Sequence, residues 1–242
     1  MPDLSVWQWV VGAVCAFAMG VAKTGVPGAA VFVAPAMVLM VGDARQAAGW
    51  LLPVLCLADL FAIYYWRRHA DVKQLLRLVP WVVVGMAAGA MALSLDERIL
   101  RKMVGVIVLV MLAIFLFRRL RPRWVLIPHH PAPYGAAAGF ATTVANAAGS
   151  VMNLYLLGMR LPKREFIATG AWFFFVINLA KIPIYQYHGL FSRESFAFNA
   201  AVVAPTVAGA LTGRWLFEHI PQKAFEMLII ALTLVATLAL FR

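Results

Sequence analysis

Nine apolar runs separated by short polar breaks take up most of this 242-residue chain, at positions 4–22, 29–41, 47–66, 78–95, 99–117, 134–158, 166–187, 196–217 and 224–241. Several reach the roughly 20 residues that a helix needs to cross about 30 Å of hydrocarbon. A membrane barrel strand would instead alternate apolar and polar residues over about 10 positions. These runs are continuous, so the expected class is all-α, a polytopic membrane helix bundle. With 64% hydrophobic and 13% charged residues, against about 25% charged in soluble domains, too few polar side chains exist to cover a water-facing surface. A soluble enzyme, a disordered chain and a collagen-like rod are excluded on the same grounds.

The net charge of +11 would suggest a nucleic-acid partner in a soluble protein. In a membrane protein it marks cytoplasmic loops, where Lys and Arg collect and meet the anionic leaflet. Cys15 and Cys56 both sit inside apolar runs and offer neither a disulfide framework nor a metal spacing. Met1-Pro2-Asp3-Leu4-Ser5 lacks the basic start of a secretory signal, so the first run is expected to stay as structure.

Two runs are interrupted. Lys23-Thr24-Gly25-Val26-Pro27-Gly28 breaks the first stretch, and Asn146-Ala147-Ala148-Gly149-Ser150 breaks the sixth run. Each interruption heads one of two similar halves, 1–123 and 124–242. Laid on each other, Arg45 meets Arg164, Asp59 meets Asn178, and Ala88-Gly89-Ala90 meets Ala208-Gly209-Ala210. Repeats that open with paired Gly/Pro-broken segments are the mark of secondary transporters, with the site at the breaks. If each opening segment enters the membrane and returns as a hairpin, thirteen of the nineteen Lys and Arg other than Lys23 and Lys181 fall on one side. The positive-inside rule then favours inverted halves with both termini outside.

Three ionisable residues lie at membrane depth: Lys23, Asp59 and Lys181. Each costs about 2.5–3.5 kcal/mol there on insertion scales, so such charges face a partner or a watery cavity. Two lysines against one aspartate suit an anion pathway. At the first break Gly25 and Gly28 flank Pro27; a helix restarting near Ala29 would point its positive end at the break and join Lys23 in holding an anion. Lys23 could equally snorkel to an interface. Thr142, Asn146, Ser150 and Asn153 recur at four, four and three residues, one face if the helix continues through Gly149. Their donors fit an oxyanion or a neighbouring helix. Asn178, Lys181 and Tyr185 share another face. Asp59 is either a proton carrier that couples transport or the static counter-ion of a lysine.

Gly85-Met86-Ala87-Ala88-Gly89 and Gly209-Ala210-Leu211-Thr212-Gly213 are small-residue faces at matching places in the halves and predict close helix packing. Pro53, Pro183 and Pro205 are expected to kink helices. Trp50, Trp66, Trp81, Trp124, Trp172 and Trp215 fall near segment ends, as interfacial anchors do. His129 and His130 have no carboxylate or Cys at ligand spacing, and no nucleotide loop, serine elbow or zinc motif occurs. No cofactor and no metal is expected.

The Lys23–Gly28 break followed by Pro35, then Arg45-Gln46-Ala47-Ala48-Gly49, Ala58-Asp59-Leu60-Phe61-Ala62 and Tyr65-Trp66-Arg67-Arg68-His69, resembles the sulfite exporter TauE/SafE family. Thr142 through Asn146-Ala147-Ala148-Gly149 to Leu161-Pro162-Lys163, and Ala171-Trp172-Phe173-Phe174 with Asn178 and Lys181, resemble it too. Relatives often carry a richer glycine run at the first break, where this chain has Pro27. The resemblance implies a multi-pass protein of the bacterial plasma membrane that moves small sulfur-containing anions, often outward. The expected function is a secondary transporter, not an enzyme, in which one half rocks against the other. Lys23, Gly25, Gly28, Thr142, Asn146, Ser150, Asn178 and Lys181 would hold the anion and Asp59 would couple it, with protons as the candidate coupling ion, or balance charge. The alternative is a scaffold or assembly subunit that transports nothing.

Overall fold

The computed structural model describes residues 4–30, 32–92, 96–120, 130–145 and 147–239. Among these the chain is helical without strands, in the order α1 (Val6–Thr24), α2 (Val33–Val41), α3 (Ala44–Trp66), α4 (Val72–Ala92), α5 (Glu97–Leu120), α6 (Pro131–Ala145), α7 (Ala148–Gly158), α8 (Lys163–Tyr187), α9 (Arg193–Ala201), α10 (Val203–His219) and α11 (Gln222–Ala239). Four helices are long and apolar enough to cross a membrane, and the bent pair α9 and α10 makes a fifth if it counts as one span. The outer face of α1 shows why: Val6, Val10, Val14 and Phe17, at helical spacing, are all exposed. An outward stripe of this kind is stable only against lipid or a partner.

The chain packs as two compact units, Met1–Ala70 with Ile167–Phe225, and Asp71–Phe166 with Glu226–Arg242. They do not coincide with the sequence halves, since each unit takes helices from both.

In the first unit α1 and α2 form a hairpin. The Gln8 side chain accepts from the Ser5 backbone N–H at 2.8 Å and donates to the Met40 carbonyl at 2.8 Å. That bond ties the start of α1 to the end of α2, so the chain has reversed. Gly28 turns it with φ +98°, a left-handed conformation open to glycine at little cost. The restart expected near Ala29 falls at Val33 instead, because Ala29 and Val33 close short turns onto the Val26 and Ala30 carbonyls. Met19, Met37, Trp50 and Phe198 pack in the core between this hairpin, α3 and α9.

In the second unit α6 and α7 pack against each other on either side of residues 146–147. The rings of Tyr134, early in α6, and Tyr155, late in α7, lie 5.3 Å apart, so this pair folds back as well. Tyr155 is buried and donates to Gln74 Oε1 of α4 at 2.8 Å.

Both small-residue faces carry a close helix crossing, one in each unit. A Cβ on Gly85 would collide with the Ala136 carbonyl of α6, and one on Gly209 with the Phe17 carbonyl of α1. Of the three prolines expected to kink, only Pro205 breaks its helix: α9 and α10 meet at 47°, where Pro205 lacks the N–H that the Ala201 carbonyl needs and its ring clashes with that carbonyl. Helices α3 and α8 run on through Pro53 and Pro183.

Gly85→Val and Gly209→Val are each expected to destabilise by about 1–3 kcal/mol or more, the usual cost of overpacking. The melting midpoint of the detergent-solubilised protein checks this, with Gly149→Val as control, since nothing lies within 4 Å of a Cβ there.

Candidate functional site

Four of the residues singled out in the sequence come together in the first unit. The Lys23 Nζ lies 2.8 Å from Asp59 Oδ1, and Asn178 Nδ2 donates to Asp59 Oδ2 at 2.7 Å. Lys181, one turn beyond Asn178 on α8, is buried within electrostatic reach of Asp59, Lys23 and Cys56. Asp59 therefore has Lys23 as its direct counter-ion.

Helix geometry explains each position. Lys23 occupies the last turn of α1, where unpaired carbonyls make the negative end of the helix and favour a cation. Its ammonium also stands over the Phe174 ring of α8, 4.2 Å from the centroid, a cation–π contact that partly replaces lost hydration. Asp59 lies mid-helix on α3 and is sealed, with 0% of its side chain exposed, whereas Lys23 keeps 12%. The lysine is thus the more accessible partner of the pair.

The break itself is built differently from the sequence expectation. The positive helix end expected near Ala29 is displaced to Val33, and the N–H groups of Gly25 and Val26 turn back to the Val21 carbonyl at 3.0 and 3.1 Å. Gly25 instead permits close approach, since a Cβ there would collide with the Gly213 carbonyl of α10. Thr24 Oγ1 donates to the Gly20 and Ala210 carbonyls at 3.0 and 2.7 Å. The Trp66 indole N–H donates to the Thr24 carbonyl at 3.0 Å, and its ring packs on Phe217 with centroids 4.6 Å apart. Trp66 and Trp50 are thus buried, not interfacial anchors, while Trp81 and Trp215 are exposed and Trp124 lies outside the described residues.

In the second unit Thr142 is buried in α6 and Ser150 and Asn153 in α7. Between them α6 ends at Ala145 and α7 starts at Ala148, so the single face drawn through one continuous helix does not form. Ser150 and Asn153 remain neighbours on α7; Asn146 lies outside the described residues. Among the described residues no three His, Cys, Asp or Glu side chains group as metal ligands.

Two members of the first cluster escaped sequence reasoning. Phe174 is one of three consecutive phenylalanines, and nothing local marks which faces a lysine. Cys56 stands one turn before Asp59 on α3, half-buried, and the i, i+3 spacing was a usable signal.

Asp59→Ala is expected to cost about 3 kcal/mol, the low end for breaking a buried pair, because Lys23 retains some access to water. The double variant Lys23→Ala/Asp59→Ala should recover part of that loss. Melting midpoints of the four proteins in a double-mutant cycle give the coupling.

No curated protein and no solved structure matches the chain. The family model described as sulfite exporter TauE/SafE matches residues 12–240. With the match running over nearly its whole length, a multi-pass helical chain carrying a buried lysine–aspartate cluster belongs to the TauE/SafE sulfite exporter family.

Proposed function

We propose that this protein is a secondary transporter that moves a small sulfur-containing anion, sulfite or an organosulfonate, outward across the bacterial plasma membrane. Membership of the TauE/SafE family makes it a membrane transporter of the sulfite-exporter type. The observation that carries the finer reading is the pair of buried or nearly buried lysines around a single carboxylate. Two lysines beside one carboxylate make a composition that suits an anion better than a cation.

Lys23 and Lys181 supply the charge in this reading. Asn178 keeps Asp59 in place, and Gly25 and Gly28 shape the break that presents Lys23. Two features support inverted halves: the opening hairpins of both, and the direct contact between Asp59 and Asn178, which are counterparts in the two halves. Residues exchanged by a pseudo-two-fold can touch each other only near its axis, which in inverted-repeat transporters lies in the membrane plane, with the site near the midplane.

In proteoliposomes, Lys23→Ala and Lys181→Ala should each lower sulfite flux about tenfold or more, as expected from losing a charge-assisted hydrogen bond of about 1.5–3 kcal/mol. Normal flux in both variants would refute the anion site.

A further inference from the structure

We infer that Asp59 and the transported anion compete for the Lys23 ammonium, so that each anion bound brings one proton onto the Asp59 carboxylate. This rests on the anion-site reading above and adds its coupling.

The observation behind it is an asymmetry of access within one ion pair. Lys23 is partly exposed and Asp59 is not. The ammonium lies 2.8 Å from Asp59 Oδ1 as an ion pair, and one side of it is covered by the Phe174 ring. An anion entering from the exposed side reaches the lysine without passing the carboxylate, and it then shares or takes that charge. Asp59 is left with the Asn178 amide, which donates at 2.7 Å but carries no charge. A sealed carboxylate stripped of its direct counter-ion is expensive, and such groups neutralise instead.

Among the described residues the ion pair given for Asp59 is the one with Lys23. On α8, Lys181 is buried one turn beyond Asn178. On α3 itself Cys56 stands one turn before Asp59, and it cannot supply positive charge. The helix α2 carries no titratable group. On α10, Arg214 and Glu218 pair with each other while Arg214 covers Tyr65, and Arg193 and Glu194 of α9 are exposed.

The charges balance. The empty site holds Lys23 as ammonium and Asp59 as carboxylate. Binding a monovalent anion A⁻ and a proton gives ammonium, A⁻ and a neutral carboxylic acid, with the same net charge. The occupied and empty forms therefore cross the same electrical barrier, and the proton travels with the anion. By linkage the dependence is mutual, since protonating Asp59 frees Lys23 and tightens anion binding.

The test uses the full-length protein in detergent and sulfite at mildly acidic pH, where it is the monoanion bisulfite. Titration calorimetry in two buffers of different ionisation enthalpy counts protons. About one proton taken up per bisulfite by the native protein, and none by an Asp59→Asn variant that still binds, is the expected result. Binding by the native protein with no proton uptake overturns the inference and leaves the anion site standing. No binding at all overturns the anion site, and the inference with it. Should Asp59→Asn fail to fold, bisulfite flux through the native protein in proteoliposomes decides. It should respond to a pH gradient and stay unchanged under an imposed potassium diffusion potential, and a flux that follows the voltage instead overturns the coupling.

Discussion

A carboxylate with no access to water, held inside helices that are apolar on their outer faces, can persist only beside a fixed cation. Asp59 sets that demand and Lys23 meets it from the last turn of α1. Much of the first unit can be read as what keeps the lysine there. The helix must stop just past Lys23, so the chain breaks at Gly25 and turns at Gly28. The break must not expose backbone to lipid, where an unsatisfied carbonyl or N–H costs several kcal/mol. Accordingly the Thr24 carbonyl takes the Trp66 indole, the Thr24 hydroxyl reaches α10, and the Gly25 and Val26 N–H groups fold back on Val21. The close α1–α10 crossing at Gly20, Gly25, Gly209 and Gly213 then fixes that broken end against a long helix. A polar cluster and a glycine stripe, which look like separate features in the sequence, serve one purpose.

What the sequence made legible follows from which signals are periodic or scarce. Helices announced themselves by unbroken apolar runs, and both breaks by Gly, Pro and Asn among them. The small-residue faces showed because a residue without a side chain has little other reason to recur at four-residue spacing in matching places. Lys23, Asp59 and Lys181 stood out because charge inside an apolar run is costly. The backbone at the first break was not legible. Gly and Pro mark that the helix stops, but where it resumes is set by the short turns that Ala29 and Val33 close onto the Val26 and Ala30 carbonyls. Trp66 misled for a related reason: a tryptophan at a segment end fits lipid headgroups or a buried carbonyl equally well, and only the position of Thr24 on another helix decides. The face drawn through Thr142, Ser150 and Asn153 assumed one continuous helix, whereas Thr142 belongs to α6 and Ser150 and Asn153 to α7.

The contact between Asp59 and Asn178 joins these two levels. They were matched by laying one half of the sequence on the other, without any knowledge of distance, and they turn out to hydrogen-bond at 2.7 Å. Were the two halves identical, an Asp–Asp or Asn–Asn pair would stand there. Two aspartates would place like charges in contact in a dry interior, and one would have to stay protonated. Two asparagines would leave Lys23 without a counter-ion. One of each supplies a single negative charge and a donor to orient it. Lys181 aligns with Ala62 in the first half of the sequence, so the difference extends along α8. The buried polar cluster thus takes Lys23 and Asp59 from one half of the sequence and Asn178 from the other, and neither half alone would bring these side chains together.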